Sequence, residues 1–243
     1  MPRFKITIQY DGTKFFGWQI QPSKRTVQGE LEKVISSFSD GEKIKVFGAG
    51  RTDTGVHALS QVAHFDLNTD LDTCNLIKAL NAHLSEDILV ESLDVVPADF
   101  HARYSAQIRC YRYQCYTGNN VLFRNQSWIT GQLDQSILQS VAETVVGEHD
   151  FLSFCKFRID MKSTVCKIYE SVWKKQDKML IYYVSGNRFL HHMVRYLTGT
   201  MVEISRGKFT IESFLNLLNN PEKNVQIFKA PPQGLILYKV DYA

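Results

Sequence analysis

The sequence contains no C-x-x-C pair, and its five cysteines, at 74, 110, 115, 155 and 166, are odd in number and irregular in spacing. That pattern speaks against a disulfide framework and against a thiolate zinc site. The opening MPRFKITIQYDG alternates apolar and polar residues instead of starting on an apolar block, so no signal peptide is expected. Nowhere does an apolar run approach the roughly 18 residues of a membrane span. No Gly-Lys-Ser/Thr follows the glycines near residue 50, which excludes a P-loop. Neither sign of charge dominates, since 28 Lys and Arg face 25 Asp and Glu for a formal charge of +3. Bulk charge therefore does not indicate nucleic acid, and only clustered charge can. No low-complexity segment or long linker occurs. A reduced, cytoplasmic protein is the expectation.

What is present is a regular succession of short periodic segments. Phe4, Ile6, Ile8 and Tyr10 alternate with polar residues, a half-buried strand ended by Asp11-Gly12. Thr26 caps a helix with Val27, Leu31, Val34, Ile35 and Phe38 on one stripe. Strands are expected over 44–47, 61–67 and 88–96, with a short helix capped at Asp72 or Thr73 between the last two. The order strand-helix-strand-strand-helix-strand is the ferredoxin-like pattern. The second half reads similarly: strands over 108–116, 164–174, 179–185 and 234–240, a helical stripe from Ile137 to Val145, a helix over 189–204 and a shorter one over 211–218. The expected architecture is α+β, with two ferredoxin-like (RRM-like) halves whose antiparallel sheets flank a central basic cleft. The halves are residues 1–104 and 105–243, divided near Tyr104 to Gln107.

Three segments stand out for chemistry. In GAGRTDTGVHA, residues 48–58, a D-x-G triplet taken alone reads as a turn in which Asp53 bonds its own backbone. Two features weigh against that reading and towards a functional segment. Arg51 and Asp53 point the same way if the segment is extended, and a surface turn has little use for Gly-Ala-Gly before it. His57 and His64 lack a third ligand at a recognisable spacing, so no metal site is expected.

In FHARYSAQIRCYRYQCY, residues 100–116, Arg109, Tyr111 and Tyr113 share one strand face. Such a face suits an unstacked nucleobase, and equally an ordinary half-exposed sheet with wet tyrosine hydroxyls. In GNRFLHHMVRYLTGTMVEISRGK, residues 186–208, Leu190, Val194, Leu197 and Met201 form a buried helical stripe. Arg188, His191, His192 and Arg195 fall on another face, at i, i+3, i+4 and i+7. Solvation is the usual explanation of such a face, yet so apolar a helix tends to bury Arg195, and a buried guanidinium needs a carboxylate. Asp53 is one candidate. Lys24, Arg25, Lys156, Arg158 and Lys162 read equally as a grip on RNA and as solvated surface.

At these segments the chain resembles the bacterial tRNA pseudouridine synthase A family. YDGTKFFGWQIQP (10–22), RTVQGELE (25–32), AGRTDTGVHALSQVAHF (49–65), FHARYSAQIRCYRY (100–113), FLHHMVR (189–195) and APPQGLIL (230–237) match its motifs in order across nearly the whole chain. The resemblance departs at NAHLSEDI (81–88), where Ser85 stands in place of the family's usual proline. It implies isomerisation of uridine to pseudouridine at positions 38, 39 and 40 of the tRNA anticodon stem-loop, by a homodimer needing no metal or organic cofactor. It further implies that Asp53 is the catalytic aspartate, Tyr111 the tyrosine stacking on the target base, Arg51 an arginine that helps extrude the base, and Arg195 the partner of the aspartate. Two readings stand beside it: a non-catalytic tRNA-binding or tRNA-folding protein, and an aspartate-dependent glycoside or nucleoside hydrolase. The latter normally wants a second carboxylate, and none stands out near Asp53.

Overall fold

The structure, a computed structural model, describes residues 1–39 and 41–242. It is mixed α+β, with ten strands and five α-helices among the described residues. The chain folds as two compact units. The first takes residues 1–107 together with the last strand from Leu237 onward, and the second takes Ile108–Ile236.

The first unit holds β1 (Arg3–Tyr10), α1 (Val27–Ser36), β2 (Phe47–Gly48), β3 (His57–Asp66), α2 (Thr73–His83) and β4 (Ile88–Val96). Strand β1 lies between β4 and β3 and is antiparallel to both, while β2 pairs the outer side of β3. Alternation dictates the core, because Phe4, Ile6, Ile8 and Tyr10 are all buried while their neighbours are not. Phe4 stacks on Phe65 of β3, and Leu31 and Ile35 of α1 with Leu76 and Leu80 of α2 complete the buried layer. Both helices start where their caps say. The Thr26 side chain accepts from the Gly29 N–H, and the Asp72 side chain accepts from the Asn75 N–H.

The strand expected over 44–47 shrinks to Phe47–Gly48. The physical reason is a competition for backbone donors. The Ile44 N–H donates to Ser36 Oγ at 2.9 Å and the Val46 N–H to the buried Glu32 carboxylate at 3.1 Å, so helix side chains satisfy a stretch that a ladder would otherwise hold.

The second unit holds β5 (Ala106–Tyr116), β6 (Trp128–Ile129), α3 (Gln135–Glu143), β7 (Gly147–Asp150), β8 (Val165–Gln176), β9 (Met179–Gly186), α4 (Met193–Ser205) and α5 (Ile211–Asn219). Its sheet runs β5-β9-β8-β7, with the short β6 parallel to β5. Gln176 pairs Met179 across a two-residue hairpin turn, and Asp177 takes the left-handed conformation (φ 51°) that such a turn needs. The final strand β10 (Leu235–Tyr242) returns to the first unit beside β3.

The helix expected over 189–204 begins only at Met193. His192 is left-handed, with φ 65°, and the Met193 N–H donates to the Leu190 carbonyl in a turn that precedes the helix. Arg188, His191 and His192 therefore do not lie on the helix, and the four-residue helical face reduces to Arg195. Among the described residues no helix is long and apolar enough to cross a membrane.

Candidate active site

The segment between β2 and β3 is both a turn and an anchored platform. The Val56 N–H donates to the Asp53 carbonyl at 3.1 Å, and Gly55 sits at φ 76°, a turn conformation that favours glycine. So the turn expected of D-x-G exists, closed by backbone. Upstream, the Ala49 N–H donates to the Val62 carbonyl, and Gln61 Nε2 donates to the Gly50 carbonyl at 2.8 Å. Thr52 points inward: it is buried, and its Oγ1 lies 2.7 Å from the buried Tyr10 hydroxyl. Arg51 on one side of it is exposed and Asp53 on the other is half-buried. The alternation expected of an extended stretch is thus realised, with the middle residue as the peg.

The support of this platform is residues 10–18, whose pattern shows a strand end at Asp11-Gly12 and, beyond it, no direct sign of this role. The Trp18 N–H donates to the Thr52 carbonyl at 3.0 Å, and the Gly55 N–H donates to the Phe15 carbonyl at 3.3 Å. Gly12 and Gly17 make the approach possible. A Cβ on Gly12 would sit 2.0 Å from the Val56 carbonyl oxygen, and one on Gly17 2.6 Å from that of Thr52. Gly48 belongs to the same packing, because its Cβ would lie 2.5 Å from Cζ2 of the Trp18 indole. This glycine admits a tryptophan ring from its own chain. The D-G and F-G-W spacings of YDGTKFFGW were the available signal, since isolated glycines flanking aromatic residues mark close backbone approach.

His57 and His64, the two histidines weighed as ligands, spend Nδ1 on the backbone. His57 Nδ1 accepts from the Gly12 N–H at 3.0 Å and His64 Nδ1 from the Ala102 N–H at 3.1 Å. Burial pushes the His64 imidazole down to about 4, helped by the charges of His101 and Arg3. A neutral ring suits its place, stacked on Phe47 with centroids 5.1 Å apart.

In the second unit, Tyr111 lies on β5 opposite Val184 of β9 and is 9% exposed. Its ring meets Phe189 edge-on, with centroids 5.1 Å apart and planes at 83°. Arg109, on the same face, donates to the Asn187 carbonyl at 2.9 Å. Tyr113 corrects the expected aromatic face. It is fully buried, its hydroxyl donates to the Pro231 carbonyl at 2.8 Å, and burial drives its pKa well above the ordinary phenol value. A residue held this way is core. Arg195, in the first turn of α4, is 8% exposed. Its Nε donates to the Ala230 carbonyl at 2.9 Å, and its own carbonyl accepts from the Ala230 N–H at 2.9 Å. The guanidinium is thereby fixed by the APPQG segment.

Of the basic residues weighed for RNA, Arg25 and Arg158 are engaged within the chain. Arg25 pairs with Asp87 at 2.7 Å and Arg158 with Asp160 at 2.9 Å. Ser85 joins the Arg25 pair, its hydroxyl accepting from Arg25 and donating to Asp87.

A sequence model described as "tRNA pseudouridine synthase" matches residues 6–105 and 141–243. Arg51, Asp53 and Arg195 fall inside the matched segments, and Tyr111 falls between them. The chain is 41% identical over 243 residues to the tRNA pseudouridine synthase A of Geobacillus sp. (strain WCH70), covering 99% of this chain and 98% of the relative. It is 42% identical over 247 residues to that of Dictyoglomus turgidum, covering all of both chains. With that of Anoxybacillus flavithermus it shares 39% identity over 244 residues, covering 100% of this chain and 99% of the relative. The chain is thus of a class of RNA-modifying isomerases. It belongs to the tRNA pseudouridine synthase family.

Proposed function

We propose that the chain converts uridine to pseudouridine at positions 38, 39 and 40 of the tRNA anticodon stem-loop, with Asp53 as the reacting carboxylate. The reaction breaks the glycosidic C1′–N1 bond, turns the uracil and forms C1′–C5. The proton on C5 is lost and N1 gains one, so nothing is oxidised and no water is consumed. A positioned, ionised carboxylate suffices, either attacking C1′ or removing the C2′ proton. The observation that carries this reading is the inward peg of Thr52, which holds Arg51 and Asp53 outward on a turn braced by residues 10–18.

The remaining roles follow from each residue's setting. An arginine beside a half-buried carboxylate favours its charged form, and we assign that part to Arg195, whose Nε is fixed by Ala230. Arg51, exposed on the same side as Asp53, occupies the gap left by the extruded base, whose unstacking costs a few kcal/mol. The Tyr111 ring, set edge-on by Phe189, stacks on the uracil. The strand order β4-β1-β3 with β2 outside β3, and the order β5-β9-β8, support a reading as two ferredoxin-like halves. A cytoplasmic homodimer in which each tRNA touches both subunits completes the proposal.

The test is incubation of purified protein with an unmodified tRNA carrying uridine at 38–40, followed by mass-spectrometric counting of pseudouridine. Asp53→Asn is expected to abolish turnover and leave tRNA affinity within a few-fold of the parent. Near-normal turnover by Asp53→Asn would overturn the assignment.

A further inference from the structure

We propose that Arg25, locked by Asp87 and Ser85, is a positioning residue that fixes the Asp53 turn through Phe15. The proposal rests on Asp53 being the reacting carboxylate.

Arg25 uses its whole planar fork. Nη1 and Nη2 take the two Asp87 oxygens at 2.7 and 2.8 Å, Nη2 also donates to Ser85 Oγ at 2.7 Å, and Nε donates to Glu30 Oε1 at 3.0 Å. The Ser85 hydroxyl in turn donates to Asp87 Oδ1 at 2.8 Å. The hydrogen bond and charge of Arg25 hold the Asp87 carboxyl below the usual carboxylate range. An exposed ion pair contributes little, but this one is a cage of four acceptor oxygens from three side chains, and the Asp87 side chain is only 14% exposed.

The flat guanidinium is pressed on the Phe15 ring, 4.1 Å from its centroid, and Phe15 is 1% exposed. Phe15 is the link to the site, because its carbonyl receives the Gly55 N–H. Two residues on, Gly17 abuts the backbone of Thr52 and Asp53. On its other side this segment is tied to the start of α1: the Phe16 N–H donates to the Arg25 carbonyl, the Val27 N–H to Gly17 and the Gln28 N–H to Trp18. Residues 15–18 are therefore a thin wedge with Asp53 on one side and Arg25 on the other. A wedge of backbone transmits displacement, since close-packed interiors have no slack to absorb it. A lysine at 25 would keep the charge and lose both the bidentate fork and the stacked plane.

Arg25→Lys is expected to lower kcat by about 10- to 100-fold, the scale of a displacement near 1 Å at a reacting group. Its tRNA Kd should stay within twofold, and the loss of kcat should persist at temperatures where the variant is fully folded. Phe15→Leu should lower kcat similarly, and the double variant should be no slower than the worse single, because both act through one link. Ser85→Ala, which removes one of the four acceptor oxygens and keeps the bidentate Asp87 pair, should fold and lower kcat by a few-fold, and it decides the matter if Arg25→Lys does not fold.

Parental kcat in folded Arg25→Lys, or in Ser85→Ala where Arg25→Lys fails to fold, overturns the proposal. So does strict additivity with Phe15→Leu. A loss of tRNA affinity with a salt slope reduced by about one unit would instead make Arg25 a phosphate contact, and also overturns it. Asp53→Asn run in parallel separates the two levels. If it is inactive while Arg25→Lys is normal, the positioning fails alone, and if it is active the reading of the carboxylate fails.

Discussion

The hydroxyl of Tyr10 and the hydroxyl of Thr52 lie 2.7 Å apart in the buried interior of the first unit, with Gln61 Nε2 at 3.5 Å from the same Tyr10 oxygen. This contact joins the last residue of β1 to the centre of the RTD triplet. It decides which way Arg51 and Asp53 face. A strand end and a loop are thus fastened by a polar bond where an apolar contact would leave the loop free to rotate.

Tyr10→Phe removes one partner of that bond and leaves a buried threonine hydroxyl to be satisfied. A loss of about 1–2 kcal/mol in stability is expected. Thr52→Val should cost a similar amount, and the two together should show a coupling of roughly 1 kcal/mol in urea unfolding. Both should also lower kcat, because a loosened residue 52 lets its neighbours swing. Additive losses would mean that the two hydroxyls act independently.

Gly12→Ala tests the brace from its other end. The added methyl would lie 2.0 Å from the Val56 carbonyl oxygen, which is backbone and cannot rotate away. Overpacking of this kind costs about 1–3 kcal/mol. Gly41→Ala is the control, since nothing lies within 4 Å of its Cβ position. Its cost is confined to the positive φ, on the order of 1 kcal/mol, and its kcat should not change. Equal loss of activity in both variants would show that the Gly12 contact does not reach the site.

Much of this was legible in the sequence where one local rule acts alone. Strand β1 shows itself by strict alternation, α1 by Thr26, and α2 by Asp72 or Thr73, of which Asp72 is the cap. The RTD segment showed its outward pair through the two-residue period. What stayed hidden depended on partners distant in sequence. The 44–46 stretch reads as a strand until Glu32 and Ser36 claim its N–H groups. Leu190 keeps the helical spacing of α4, yet the backbone breaks at His192, a residue whose short-range pattern gives no warning. Tyr113 has the same strand parity as Tyr111, and only Gly234 and Pro231, more than a hundred residues on, draw it into the core.

Acid should weaken the first unit in two stages. His64, 3% exposed, has its pKa lowered to about 4, against about 6.5 in an unfolded chain. Between those values the unfolded state binds the extra proton, so stability falls as pH drops from about 6.5 to about 4. The total is on the order of 3 kcal/mol, and none of it is lost above pH 7. Below about pH 4 the second stage begins. Asp66 and Asp87, held low by their bonds to Arg3 and Arg25, then protonate and give up those pairs. His64→Asn, which can still accept the Ala102 N–H through its side-chain oxygen, should flatten the first stage and keep the second. A slope unchanged by that substitution would place the titration elsewhere.

The last prediction runs against helix propensity. Alanine is favoured over glycine within a helix by about 1 kcal/mol, so Gly199→Ala in α4 would stabilise a free helix. Here the new methyl would stand 2.3 Å from the Phe228 carbonyl oxygen and 2.6 Å from the Ala230 nitrogen. Those atoms belong to the segment whose Ala230 exchanges two hydrogen bonds with Arg195, one turn earlier on the same helix. Pushing the segment outward must stretch both. The expected outcome is a net loss of about 1–2 kcal/mol despite the propensity gain, together with a fall in kcat like that of Arg195→Lys, which keeps the charge and forfeits the Nε bond. If Gly199→Ala unfolds at a higher urea concentration than the parent, the 228–230 segment is not held against α4 as described, and the fixing of Arg195 by Ala230 loses its basis.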